Sequence, residues 1–189
     1  MRPLVGLVSA ASALLLGCGA TTVRVGMGPT VDGQGKVGVE GIVGLGIGTP
    51  LDFKGRSRHY LQVMPSFGGG MDGRSKQSLL RAAADVDYIY WAGPSVDVRG
   101  GLRVSYRGIG EPKAEKGDEV KKQPSLAGFG GHFGVLPVVL GSEDGWMVRQ
   151  LCIGAELHVE YLVSDPAGSS RTLISLPLLF DLTLLGAGD

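Results

Sequence analysis

The chain has 189 residues, with 18 basic and 18 acidic side chains and no net charge. That balance removes the electrostatic case for a nucleic-acid partner. Its 33 glycines lie within apolar runs and at turns, so the chain is not low-complexity. After the N-terminal segment, no apolar stretch reaches the ~18 residues of a membrane helix. Entry of the chain itself into a bilayer therefore requires a closed barrel, which satisfies every backbone group internally.

The first segment is Arg2, an apolar run from Leu4 to Leu16, and then Gly17-Cys18-Gly19-Ala20. The run has the length of a signal-peptide apolar region and is too short to cross a bilayer. Leu15-Leu16-Gly17-Cys18 resembles the lipobox of a bacterial lipoprotein signal peptide. That resemblance implies export, loss of residues 1–17, and a palmitate-bearing lipid on Cys18. Gly19, standing where retained lipoproteins carry Asp, is similar to the class sorted to the outer membrane. A lipidated N-terminus of residues 18–21 then leads into the main domain. With Cys18 acylated, Cys152 has no partner and no disulfide is expected.

Period-two alternation runs through the remaining chain, and it predicts eight one-sided strands. They cover roughly residues 22–30, 36–48, 57–69, 84–98, 101–108, 125–140, 147–163 and 170–185. In the first, Val23, Val25 and Met27 oppose Arg24; in the second, Val37, Val39, Val43, Leu45 and Ile47 oppose Glu40 and several glycines. Leu61, Val63, Pro65 and Phe67 oppose Arg58, Tyr60 and Gln62 in the third. The fourth sets Val86, Tyr88 and Tyr90 against Asp85 and Asp87, and the fifth sets Leu102, Val104 and Tyr106 against Arg103 and Arg107. The sixth is glycine-rich, with Phe129, Phe133, Val135 and Val139 opposite His132. In the seventh, Leu151 to Val163 alternate with Cys152, Glu156, His158 and Glu160. The eighth alternates Ile174, Leu176, Leu178, Phe180, Leu182 and Leu184 with Ser175, Pro177, Asp181 and Thr183. Residues 186–189 form a tail. Pro94 and Pro177 remove ladder donors and mark bulges or strand edges.

Connections at one end of such a meander would include two long loops, 70–83 and 109–124, with compact turns, Arg99-Gly100 among them, at the other. An even strand number returns both termini to the compact end, beside Cys18. Membrane barrels have this asymmetry. Side-chain type decides which face is wet. All seven lysines (36, 54, 76, 113, 116, 121 and 122) fall in loops or at a strand end. The mid-strand cations are arginines, whose planar fork pairs bidentately with carboxylates in an enclosed space. Arg24, Glu40, Arg58, Asp87, Arg103, Arg107, Glu156, His158, Glu160 and Asp181 are thus expected to form a polar network in a plugged lumen.

These strands, loops and export signal together resemble the small eight-stranded outer-membrane barrels of the outer-membrane protein A or W type. The resemblance is architectural and covers residues 22–185. It implies an all-β, eight-stranded antiparallel up-and-down barrel behind a cleaved signal peptide. It also implies a lipid-anchored place in the outer membrane and a structural or anchoring role in an envelope assembly, without enzymatic activity. Partners would be membrane lipid and other envelope proteins, met through loops 70–83 and 109–124.

No catalytic residue, metal site or cofactor is expected. Glu156, His158 and Glu160 share one strand face, but successive members are ~6.6 Å apart, and interior charges must pair. Lipid-modifying barrels use His and Ser two residues apart, whereas His158 precedes Glu160 and His132 precedes Gly134 at that spacing. Gly128-Phe129-Gly130-Gly131-His132-Phe133-Gly134 lacks the Lys-Ser/Thr ending of a phosphate loop, and no helix follows it. Cys152 fits as a small lumen filler. Two rival functions remain: a periplasm-facing lipid carrier similar to a lipocalin, and a lipid-modifying barrel enzyme. The carrier family's early Gly-x-Trp is missing, since Trp91 and Trp146 lie far from the N-terminus.

Overall fold

The computed structural model describes residues 19–51, 58–92, 95–110, 125–144, 147–165 and 170–186. Cys18, the signal segment 1–17, Pro94, most of 109–124 and the tail beyond Gly186 lie outside those residues. Among the described residues, nine strand segments follow in chain order: β1 (Ala20–Asp32), β2 (Val37–Pro50), β3 (His59–Met71), β4 (Ser78–Trp91), β5 (Val96–Ile109), β6 (Ser125–Asp144), β7 (Met147–Asp165), β8 (Ser170–Ser175) and β9 (Leu178–Gly186). Each consecutive pair from β1 to β7 is antiparallel. β8 and β9 both pair with β7 on one side and β1 on the other, which closes the sheet.

β8 and β9 occupy a single barrel position. His158 faces Ser175 and Ala155 faces Leu178, so the register continues unchanged across Leu176-Pro177. Pro177 has no N–H to donate, and that interrupts the ladder without shifting it. Flanking bonds persist, from Leu176 N–H to the Pro29 carbonyl (3.2 Å) and from Glu156 N–H to the Pro177 carbonyl (3.2 Å). The protein is an eight-stranded closed antiparallel barrel. A register shift between β6 and β7 falls between Val138 and Leu140, just after Pro137.

The barrel is apolar outside and charged inside. Leu102 is 74% exposed, Phe67 68% and Met27 66%, whereas Arg24, Arg107 and Asp181 are fully buried. Leu176, Leu178, Phe180, Leu182 and Leu184 all face outward. A barrel in water places these faces the other way; facing lipid, it has this arrangement. A 13-residue strand tilted ~40° spans ~33 Å along the barrel axis, enough for a hydrocarbon core of ~30 Å.

Two connections differ most from the sequence expectation. Arg99-Gly100 is not a turn: β5 runs through it, and the chain reverses between the end of β4 at Trp91 and the start of β5 at Val96, with Ala92 N–H bonding the Val96 carbonyl at 3.1 Å. The alternation conceals this reversal because partners across the hairpin, such as Tyr90 and Val98, share parity and therefore a face. Gly101 is explained by crowding, since a Cβ there would stand 2.2 Å from the Val86 carbonyl oxygen. Segment 70–83 is likewise not a long loop. β3 extends to Met71 and β4 starts at Ser78, leaving only 72–77 as the connection. Ala82-Ala83-Ala84 carry no polar contrast, so alternation is unreadable there, and Gly70 lies in the ladder, where a Cβ would stand 1.9 Å from the Val39 carbonyl oxygen. The end asymmetry thus rests on the 110–124 connection alone.

Among the described residues, three apolar clusters line the lumen. Ala20, Tyr60 and Ile89 lie at the end that holds both termini, with Trp91 packed against them. Ile42, Leu136, Cys152 and Leu179 form a second. Leu126, Leu162 and Leu173 form the third, near the opposite end. Between the end clusters, alongside the second cluster, the lumen is ionic.

Candidate functional site: the lumen ion network

Register sets the first layer of ion pairs. Arg24 on β1 stands directly opposite Asp181 on β9, and Arg103 on β5 directly opposite Asp85 on β4. Arg24 donates from Nε to Asp181 Oδ1 at 3.1 Å and from Nη2 to Oδ2 at 3.0 Å. Arg103 makes the same fork on Asp85, at 2.5 Å from Nε and 2.6 Å from Nη2. Neighbouring strands thus supply bidentate guanidinium–carboxylate pairs, the strong form of the charge-assisted bond.

A second layer reaches across the lumen. Arg81 and Arg107 face each other on β4 and β5, an unfavourable like-charge pair unless anions intervene. Glu40 comes from β2 and Glu160 from β7 to supply them. Arg107 donates to Glu40 Oε1 (3.1 Å) and to Glu160 Oε1 and Oε2 (3.0 and 2.9 Å). Ser105 Oγ donates to Glu160 at 2.5 Å, and Arg81 lies 3.3 Å from Glu40 and 3.7 Å from Glu160. Towards the other end, Arg99 joins Asp97 and Asp181, and Glu156 lies 3.1 Å from Arg24. These side chains bridge non-adjacent strands and fill the cross-section.

The two buried histidines belong to the same network. His132 and His158 are cross-strand partners on β6 and β7, with ring centroids 5.6 Å apart. His158 Nε2 sits 3.0 Å from Glu156 Oε2 while its Nδ1 meets Arg103, and His132 Nε2 sits 2.9 Å from Asp87 Oδ1. Among the described residues, no group of three or more His, Cys, Asp or Glu side chains is placed to hold a metal. The hydrogen-bond and ion-pair partners of both imidazoles are charged side chains, not a hydroxyl that could serve as nucleophile.

Of the ten residues the sequence singles out, nine are buried in the lumen: Arg24, Glu40, Asp87, Arg103, Arg107, Glu156, His158, Glu160 and Asp181. Arg58 is the correction. It is exposed at the bend before β3, where its carbonyl accepts from Trp91 N–H at 2.9 Å. Arg81, Asp85, Asp97, Arg99 and His132 also belong to the network but are not among those ten. Asp85 and Asp97 have the correct polar parity, but the pattern places them in one strand. Arg99 falls on an expected turn and Arg81 in an expected loop. Parity from Arg103 and Arg107 backward identifies Arg99 once Gly100-Gly101 is not read as punctuation.

A clasp closes the opposite rim. Asp72, at the start of the β3–β4 turn, accepts from the N–H groups of Arg74 (3.1 Å) and Ser75 (2.9 Å), from Ser75 Oγ (3.0 Å), and from Arg171 on β8 (2.6 Å). Arg74 in turn pairs with Asp32, whose carboxylate also accepts from Gln34 and Lys36 N–H, both at 2.9 Å. One chain of bonds therefore ties together the β1–β2 turn, the β3–β4 turn and β8. Partial burial pushes the Asp72 carboxyl up, but these donors outweigh it and hold the carboxyl below its ordinary value.

Fold and site together define an inside-out, eight-stranded barrel with an ionic plug. Its fold is shared with the crystal structure of Neisserial surface protein A (NspA), at TM-score 0.52 and 11% identity, over 89% of this chain and 96% of that one. The outer membrane protein Ail of Yersinia pestis (TM-score 0.34, 12% identity, 85% and 99% covered) and a designed transmembrane β-barrel (0.31, 10%, 85% and 94%) are also similar. No family model matches the chain, and neither does any curated protein.

Proposed function

We propose that this protein is a non-enzymatic outer-membrane β-barrel lipoprotein that crosses the bilayer with its eight strands and serves as a closed structural or anchoring unit of the cell envelope. The observation that carries this is the inverted burial: a continuous apolar exterior around a lumen filled with paired arginines and carboxylates. Lipid on Cys18, at the end where β1 begins, adds a second attachment, and the 109–124 connection is the surface offered to other envelope proteins. The carrier alternative needs an apolar lumen open to ligand; here Arg107, Arg103 and Arg99 occupy that space with their carboxylates. For enzymatic activity, the lumen histidines would need a neighbouring nucleophile and a path for lipid, whereas both lie against charged side chains, His158 against Glu156 and Arg103 and His132 against Asp87.

The test is fractionation of a Cys18→Ala variant. Resistance of the variant to alkaline extraction from outer membranes supports insertion by the barrel itself. Its release into the soluble fraction refutes insertion and returns the protein to the tethered class. Single-channel recordings should show no persistent conductance for the intact plug.

A further inference from the structure

The lipid-facing surface is indented by an apolar groove that straddles β1. It has a volume of about 500 Å³, with Val25, Met27, Val43, Leu178 and Phe180 around Gly41 and Gly69. Gly41 and Gly69 are direct cross-strand partners on β2 and β3, so two adjacent outward positions lack side chains. Packing does not demand glycine at the first of them. A Cβ on Gly41 would meet only the Gly26 and Gly69 carbonyl oxygens, both at 3.7 Å, which is ordinary contact. By contrast, Cβ atoms at Gly68 and Gly70 would stand 2.0 and 1.9 Å from β2 carbonyl oxygens. Gly41 therefore leaves a notch that the barrel itself does not need.

We infer that this groove seats an acyl chain of the lipid carried by Cys18. The inference rests on the Cys18 lipidation proposed above. Cys18 precedes β1 by two residues, so its lipid enters the bilayer at the end where β1 starts, and β1 runs directly into the groove. Val25 and Met27 lie five and seven residues beyond Ala20. At ~3.4 Å per residue and ~40° tilt, that is ~13–18 Å along the membrane normal. Half of a ~30 Å hydrocarbon core is ~15 Å, which is the depth an acyl chain anchored at that surface reaches. Tethering favours this chain over bulk lipid, because its effective concentration at a site within reach is in the millimolar range without any added contact. Seated there, the lipid would cover the Gly41–Gly69 floor and fix the N-terminus against β1, so its role becomes packing as well as retention.

The experiment uses the full chain processed in a bacterial host fed a diazirine-bearing palmitate. Isolated outer membranes are irradiated, and intramolecular cross-links from Cys18 are mapped by mass spectrometry. The expected products join the Cys18 acyl chain to peptides containing Val25–Met27, Gly41–Val43 or Gly68–Gly69. Gly41→Leu, which fills the notch without a backbone clash, should cut those products on the order of tenfold, as blocking a tethered second contact would, while leaving the folded barrel intact. Cross-links spread over β4 to β7, or unchanged in Gly41→Leu, overturn the inference. So does equal labelling of the groove by a photoactivatable phospholipid in wild type and Cys18→Ala, which would make bulk lipid the occupant. An N-terminal peptide without lipid defeats the lipidation reading itself, and mass spectrometry shows that outcome separately.

Discussion

Glu160 is the keystone of the ion network, and its neutralisation has a calculable cost. Its carboxylate accepts two bonds from Arg107 and one from Ser105, and lies within 3.7 Å of Arg81 and 3.8 Å of Arg103. Glu160→Gln keeps the volume and removes the charge. Bonds to charged groups are worth roughly 1.5–3 kcal/mol each; the amide keeps one acceptor oxygen, so one or two of the three are lost outright, ~1.5–6 kcal/mol gross, and the remainder lose their charge assistance. The carboxylate's own desolvation offsets part of that. The remaining penalty is the three buried guanidiniums left with Glu40 and Asp85 alone, and breaking a buried pair from one side costs about 3–5 kcal/mol. Arg107→Met should cost a similar amount alone. The double variant should be less damaged than the sum by roughly 2 kcal/mol, because its partners leave together. Equilibrium unfolding in urea, with barrels refolded in lipid vesicles, measures all three. A Glu160→Gln loss under ~1 kcal/mol, or strict additivity with Arg107→Met, would refute the claim that the lumen is held by coupled ion pairs.

Three further outcomes follow from the same structure. Val104→Arg, on the outward face, should destabilise the inserted barrel by ~2–4 kcal/mol if it sits near the bilayer midplane, as read by the same unfolding titration; a neutral result would deny that face to lipid. Gly130→Ala forces a Cβ to 2.0 Å from the Val159 carbonyl oxygen, whereas Gly108→Ala meets nothing within 4 Å, so the first should cost on the order of 1–3 kcal/mol and the second almost nothing in thermal unfolding. The Asp72 clasp gives a pH dependence: its folded carboxyl titrates below the unfolded value of ~3.9, so its stabilisation is complete above that value and is lost as pH falls through the lower, folded one. Asp72→Asn should lose stability at pH 6 and show a shallower decline as pH falls below ~4, measured as the unfolding midpoint.

Strand alternation makes the architecture legible, because a period of two survives the lipid–lumen reversal and needs no knowledge of partners. The longest runs show it best: Leu176 to Leu184 and Leu151 to Val163 each hold one face throughout. The network is legible wherever a charge sits between apolar neighbours, as Arg24 and Asp181 do. It is hidden where glycine or alanine stands beside the charge. Arg99 is followed by two glycines, and Arg81 by three alanines, so neither announces its face. Arg58 errs the other way, since its parity matches the lumen but β3 begins one residue later. Pairing across the lumen, such as Glu40 with Arg107, depends on which strands face each other over the closed barrel, and no local pattern encodes that distance.

The central claim, that the apolar exterior meets lipid, is tested most directly by nitroxide labels on Cys variants at Val104 and Phe129, in a chain reconstituted into vesicles. Both positions should collide with membrane-dissolved oxygen and be shielded from a water-soluble nickel complex. Accessibility to the nickel complex in preference to oxygen would contradict the account and place these faces in water.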